Sequence, residues 1–89
     1  MLFMVIERFK NGDSKPVSER FRRCGRMFPD GVVYHGSWVE PTGVRCFQLM
    51  EAPDRATLDL WVARWRDLVD FEISPVLTSA DFWAQPGRS

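Results

Sequence analysis

The sequence predicts an α+β fold with its elements in the order β-α-β-β-α-β. Three observations carry this reading. Short runs of β-favouring apolar residues are separated by turn signals such as Asn11-Gly12-Asp13 and Pro41-Thr42-Gly43. Two other stretches place apolar residues at helical spacing: Val17, Phe21 and Cys24, then Leu58, Trp61, Val62, Trp65, Leu68 and Val69. The length of 89 residues, 45% hydrophobic and 27% charged, leaves room for one domain around one modest core.

Each element has a local reason. Met1 to Phe9 (MLFMVIERF) is apolar and reads as the first strand. Ser14 can cap the helix that follows, with Pro16 tolerated in its first turn and Gly25 near its end. Val32 to Glu40 and Val44 to Glu51 read as two strands joined at Pro41-Thr42-Gly43, a hairpin. Asp54 caps a second helix whose stripe runs on to Val69, and Asp70 ends it. Phe71 to Leu77 is the fourth strand, with Pro75 marking an edge or a strand end. Two right-handed crossovers joined by a hairpin give a ferredoxin-like domain over residues 1–78. Its four-stranded antiparallel sheet carries both helices on one face. Residues 79–89 form a tail whose Phe82 and Trp83 are too apolar to stay in water, and it is expected to dock on its own or a neighbouring chain.

Composition excludes several classes. Twelve basic and twelve acidic residues cancel, so a general electrostatic grip on nucleic acid or an anionic membrane is not expected. The segment Arg45 to Met50 lacks the glycine-aromatic pattern of RNA-recognition modules. No apolar run approaches a membrane span, and Met1 to Ile6 is too short for a secretory signal. Cys24 and Cys46 fit no CxxC or zinc spacing and read as reduced thiols, which implies a cytoplasmic location. With a single histidine, no multi-histidine metal site and no cofactor are expected.

Both sides of the strands look apolar. The first strand has Leu2, Met4 and Ile6 on one side and Phe3, Val5 and Phe9 on the other. The third has Phe47 and Leu49 opposed to Val44, Cys46 and Met50, and the second has Val33 and Val39 opposed to Val32, Tyr34 and Trp38. A solvated sheet face would alternate apolar with polar. Two helices cover only one face, so the simplest cover for the other is the sheet of a second copy, a homodimer.

Four stretches carry a resemblance: MLFMVIERF, YHGSW (Tyr34 to Trp38), RCFQLME (Arg45 to Glu51) and WVARWRDLVDFEISPV (Trp61 to Val76). Together they resemble a family of short prokaryotic proteins built on a domain of unknown function. That family is similar to the dimeric α+β-barrel superfamily, in which two ferredoxin-like sheets close into one barrel. The superfamily includes cofactor-independent monooxygenases, haem-degrading enzymes, chlorite dismutases, stress-response proteins and sensor domains. The resemblance implies fold and dimer, and it carries no catalytic residue across.

In such a dimer the cavity between the sheets is the expected pocket, and polar side chains pointing into it are the candidate site. The candidates are His35 for proton transfer, with Glu7, Ser37, Gln48 and Glu72 as ligand-binding groups. His35 also reads as a half-buried histidine satisfied by a backbone carbonyl or by Gln48. Glu7 reads either as a buried base with a raised pKa or as a strand-end charge paired with an arginine such as Arg45. Hairpin register decides which of them meet. A two-residue turn puts His35 opposite Gln48 and Trp38 opposite Arg45, while a three-residue turn puts Gly36 opposite Gln48 and His35 opposite Leu49. Polarity favours the first. Trp61 and Trp65 read as core filling, and Arg20, Arg22, Arg23 and Arg26 as a solvated basic face. The expected function is binding of a small apolar ligand or partner between the sheets. The alternative is a small oxygenase or isomerase that needs no cofactor.

Overall fold

The computed structural model describes residues 1–87. Its elements are β1 (Leu2–Phe9), α1 (Lys15–Cys24), β2 (Val33–Val39), β3 (Arg45–Glu51), α2 (Arg55–Ala63), β4 (Val69–Val76) and α3 (Ser79–Ala84). The sheet is antiparallel with strand order β2-β3-β1-β4, which is the predicted ferredoxin-like topology. The short α3 lies in the tail, where Ser79, Phe82 and Trp83 line a cleft with Met1, Leu2 and Pro75 to Leu77. The end of the expected tail, residues 88 and 89, falls outside the described residues.

One face of the sheet meets the helices. Phe3, Val5 and Met50 from β1 and β3 are buried against Leu58, Trp61 and Trp65, with Val17 of α1 and Ile73 of β4 packed around them. Phe9, Cys46 and Val69 close a second cluster at the other end of the same face. Trp61 is the hub, lying edge-on to Phe71 with ring centres 5.3 Å apart and tilted against Phe28 at 5.6 Å. The opposite face carries Leu2, Met4, Ile6, Phe47 and Leu49, which neither α1 nor α2 covers.

Three local expectations need correction. Ser14 occupies the cap position of α1, but its side chain makes no cap bond; the Lys15 amide instead donates to Asp13 Oδ1 at 3.0 Å. The second helix stops at Ala63 rather than running to Val69. From there the chain tightens into turns: the Arg64, Trp65 and Leu68 amides donate to carbonyls three residues back. These turns keep Trp65 over the core and release Val69 and Asp70 into β4, where Val69 pairs with Phe9.

Neither expected hairpin register is present. The Gly43 amide donates to the Glu40 carbonyl at 2.8 Å and the Glu40 amide to the Arg45 carbonyl at 2.9 Å, which makes residues 41–44 a four-residue loop. Gly43 takes a φ of 73°, which suits glycine. The strands pair as Ser37 with Gln48, Trp38 with Phe47 and Val39 with Cys46 until an irregularity between Tyr34 and Gly36. His35 is the extra residue of this bulge. Beyond it Tyr34 faces Met50 and Val33 faces Glu51. The bulge also regroups the apolar residues of β2. Val33 and Trp38 share the helix-free face, and Tyr34 and Val39 share the helix side. On the helix-free face Gly36 leaves room for the Trp38 ring, since a Cβ would stand 3.1 Å from Trp38 Cη2.

Candidate functional site

The residue pattern of β1 sets the site. Phe3, Val5, Glu7 and Phe9 all point to the helix side, so the strand's pleat carries a carboxylate into the core layer. Glu7 is only 5% exposed. Gln48 of β3, beside Val5 in the pairing, is also buried, and its Nε2 donates to Glu7 Oε1. Burial pushes the Glu7 carboxyl up to about 7; the bond from Gln48 and the charge of Arg26 act against that rise. Among the described residues, Gln48 Oε1 is buried with no hydrogen-bond partner. A buried acceptor left unpaired costs about 1–3 kcal/mol.

Glu7 and Gln48 line a cleft of about 370 Å³ between α1 and the sheet. Val17, Ser18 and Phe21 of α1 form one wall, Trp61 and Trp65 another, and Ser37 and Cys46 sit next to the polar pair. The volume lies within the range of small-molecule sites, and the mix of apolar walls with few polar groups is typical of them. Burial raises the Cys46 thiol to about 11, so it stays protonated at neutral pH. The cleft beside α3 is larger, at about 530 Å³, but no ionisable side chain lines it.

Both tryptophan walls are held rigidly. The indole N–H groups of Trp61 and Trp65 donate to the same acceptor, the Arg26 carbonyl, at 3.1 and 3.0 Å. Arg26 lies in the loop after α1, between Gly25 at φ 66° and Met27 at φ 59°. Its guanidinium stands 4.3 Å from the Tyr34 ring centre and 5.0 Å from that of Phe21. The Tyr34 hydroxyl donates to Ser37 Oγ at 2.9 Å, which links this stack to the polar floor. Arg20 ties α1 down by a two-pronged contact to Asp67 at 2.6 and 2.7 Å.

Of the five residues expected to form the site, the structure brings together Glu7, Ser37 and Gln48. They lie between sheet and helices, however, not on the face where a second sheet would pack. His35 is outside the cleft: the bulge turns it outward, where its Nε2 is 3.0 Å from Glu51 Oε1. Glu72 is exposed on the helix-free face, opposite Ile6. Glu7 does not meet Arg45, which forks onto Glu40 at 2.7 and 3.0 Å. Sequence reasoning passed over Arg26 as one of a basic cluster, and Trp61 and Trp65 as filling. The available signal was their spacing of one turn, which places both indoles on the same wall.

Among the described residues, no group of three or more His, Cys, Asp or Glu side chains is placed to hold a metal ion. No described helix is long and apolar enough to cross a membrane.

The β-α-β-β-α-β order, the single antiparallel sheet and the cleft beneath α1 define a ferredoxin-like α+β protein with an internal pocket. Residues 1–85 match the family described as Domain of unknown function (DUF3303), and the chain belongs to it. Among solved structures, it is similar to a crystal structure of an antibiotic biosynthesis monooxygenase at 19% identity and a TM-score of 0.52. That alignment covers 88% of this chain and 98% of the other. It is also similar to Rv0793 from Mycobacterium tuberculosis, at 18% identity and a TM-score of 0.49, covering 90% and 99% of the two chains. The first likeness establishes a shared fold. No curated protein matches the chain.

Proposed function

We propose that this protein binds a small, largely apolar molecule in the cleft between α1 and the sheet. The observation that carries this is the buried Glu7–Gln48 pair at the floor of an aromatic-walled cavity, with Gln48 Oε1 still lacking a donor. Two of the four tryptophans line the cleft, while Trp38 and Trp83 are about 60% exposed elsewhere. That contrast supplies the test. Titration with naphthol, followed by heteronuclear NMR, should shift the indole signals of Trp61 and Trp65 and the Gln48 side-chain amide. Those of Trp38 and Trp83 should stay put. Ser18→Trp, which fills the cleft from α1, should abolish the shifts. Movement of the Trp38 signal alone, or of none, would refute the site.

The protein works as a homodimer in this proposal, sealed through the helix-free face. Leu2, Met4, Ile6, Phe47 and Leu49 form its centre, with Val33 48% and Trp38 60% exposed. Covering several hundred square ångströms of such surface is worth roughly 25 cal/mol per Å² before the costs of association. Cys24 and Cys46 are free thiols, which supports a cytoplasmic setting.

A second reading makes the cleft catalytic, with Glu7 in place of His35 as the proton acceptor. It is favoured by a carboxyl whose pKa near 7 suits proton transfer at neutral pH. In deuterium oxide, the protein should then speed exchange of the acidic C–H of bound β-tetralone, and Glu7→Gln should stop it. Exchange equal to the buffer rate would leave only the binding reading.

A further inference from the structure

The cleft's two charges stand apart in character. Among the described residues that line it, only Glu7 and Arg26 carry formal charge. Arg20, Arg45 and Arg55 each have a carboxylate within ion-pair distance, and among the described residues Arg26 has none. Its guanidinium is instead held between the Tyr34 and Phe21 rings, with Nη2 donating weakly to the Tyr34 hydroxyl at 3.4 Å. Its backbone is fixed by the two indoles. A half-buried cation set in place this way, with donors left over, is prepared for a planar anion. At the cleft's polar floor, Gln48 Oε1 is an acceptor waiting for a donor.

We infer that the ligand is a small aromatic acid, its carboxylate taken by Arg26 and a hydroxyl or N–H elsewhere on its ring frame given to Gln48 Oε1. This rests on the binding reading above and narrows it to a chemical class. An aromatic frame suits walls made of Phe21, Trp61 and Trp65. The high pKa of Glu7 supports the assignment, because a carboxyl that is readily neutral repels an incoming anion less.

Isothermal titration of the full chain with three probes tests this. The first is a hydroxynaphthoic acid with its two groups on opposite rings; the others are naphthoic acid, which lacks the donor, and the hydroxynaphthamide, which lacks the charge. The hydroxy acid should bind about tenfold more tightly than the amide, the scale of one charged hydrogen-bond pair. Naphthoic acid should fall several-fold below it. Arg26→Gln should erase the preference for acid over amide, the acid losing far more affinity than the amide. Arg26→Lys, which keeps the charge without the fork, should restore part of it. Circular dichroism melts confirm that each variant is folded. If acid and amide bind alike and Arg26→Gln changes neither, the inference is wrong and the cleft reading stands. If no probe binds up to millimolar concentration, both are wrong.

Discussion

Phe3, Val5 and Met50 are sealed beneath α1 and α2, whereas Met4, Ile6 and Leu49 on the other side of the same strands lie outside both helices. The two faces differ more sharply in their polar groups. On the helix-free side, Arg45 meets Glu40 and His35 meets Glu51, all partly in water and all paired. On the helix side, Glu7 and Gln48 are buried, joined to each other and still one partner short. Polar groups that merely keep a surface soluble can be satisfied at little cost. A carboxyl and an amide kept in the core at the expense of their hydration point to use. In the proposed reading, one sheet offers its outer face to a second copy and its inner face to a ligand.

Substitutions on matched positions can break this contrast. Met50→Ala on the helix side should destabilise the fold by roughly 2–5 kcal/mol in urea melts, since the side chain is fully buried. An equally large loss from Leu49→Ala in the monomer would mean that the two faces are not different. Glu7→Gln should act through pH. The folded state raises the Glu7 pKa from 4.5 to about 7, so it holds that proton more tightly than the unfolded chain. The resulting stability is fully present below about pH 4.5 and is lost as pH rises through 7, on the order of 3 kcal/mol in all. Glu7→Gln should flatten that slope, which urea melts across the pH range would read. Leu49→Arg puts a charge in the centre of the helix-free face. It should raise the dimer dissociation constant about a hundredfold or more in sedimentation equilibrium while leaving ligand shifts at Trp61 intact. The smallest effect belongs to His35→Ala. It removes an exposed hydrogen bond to Glu51 and should change stability by about 0.5 kcal/mol or less, with naphthol binding unaltered. A loss of binding there would reopen the outer face as the site.

The order of elements was legible because short apolar, β-favouring runs bounded by turn signals alternate with apolar stripes at helical spacing. Glu7 was legible as the one charge on its side of an apolar strand, but not that this side faces the helices. The position of His35 was not. It depends on whether two, three or four residues make the β2–β3 loop and on a bulge at His35 itself, and a one-residue slip exchanges the faces. The inner location of the cleft was hidden for a related reason: both faces of the strands are apolar, so pattern alone could not say which one holds the pocket. Arg26 was hidden by its neighbours, since only the fold separates it from Arg22 and Arg23 and brings its carbonyl under two indoles. The shortening of α2 came from backbone bonds that no side-chain pattern announces.

Carbon NMR of the Glu7 carboxyl, titrated from acid to alkaline pH, addresses the buried pair directly. A midpoint near 7 that moves when naphthol is added is the expected result. A midpoint near 4.5, unchanged by ligand, would mean that the carboxyl is in water and that the cleft has no such floor.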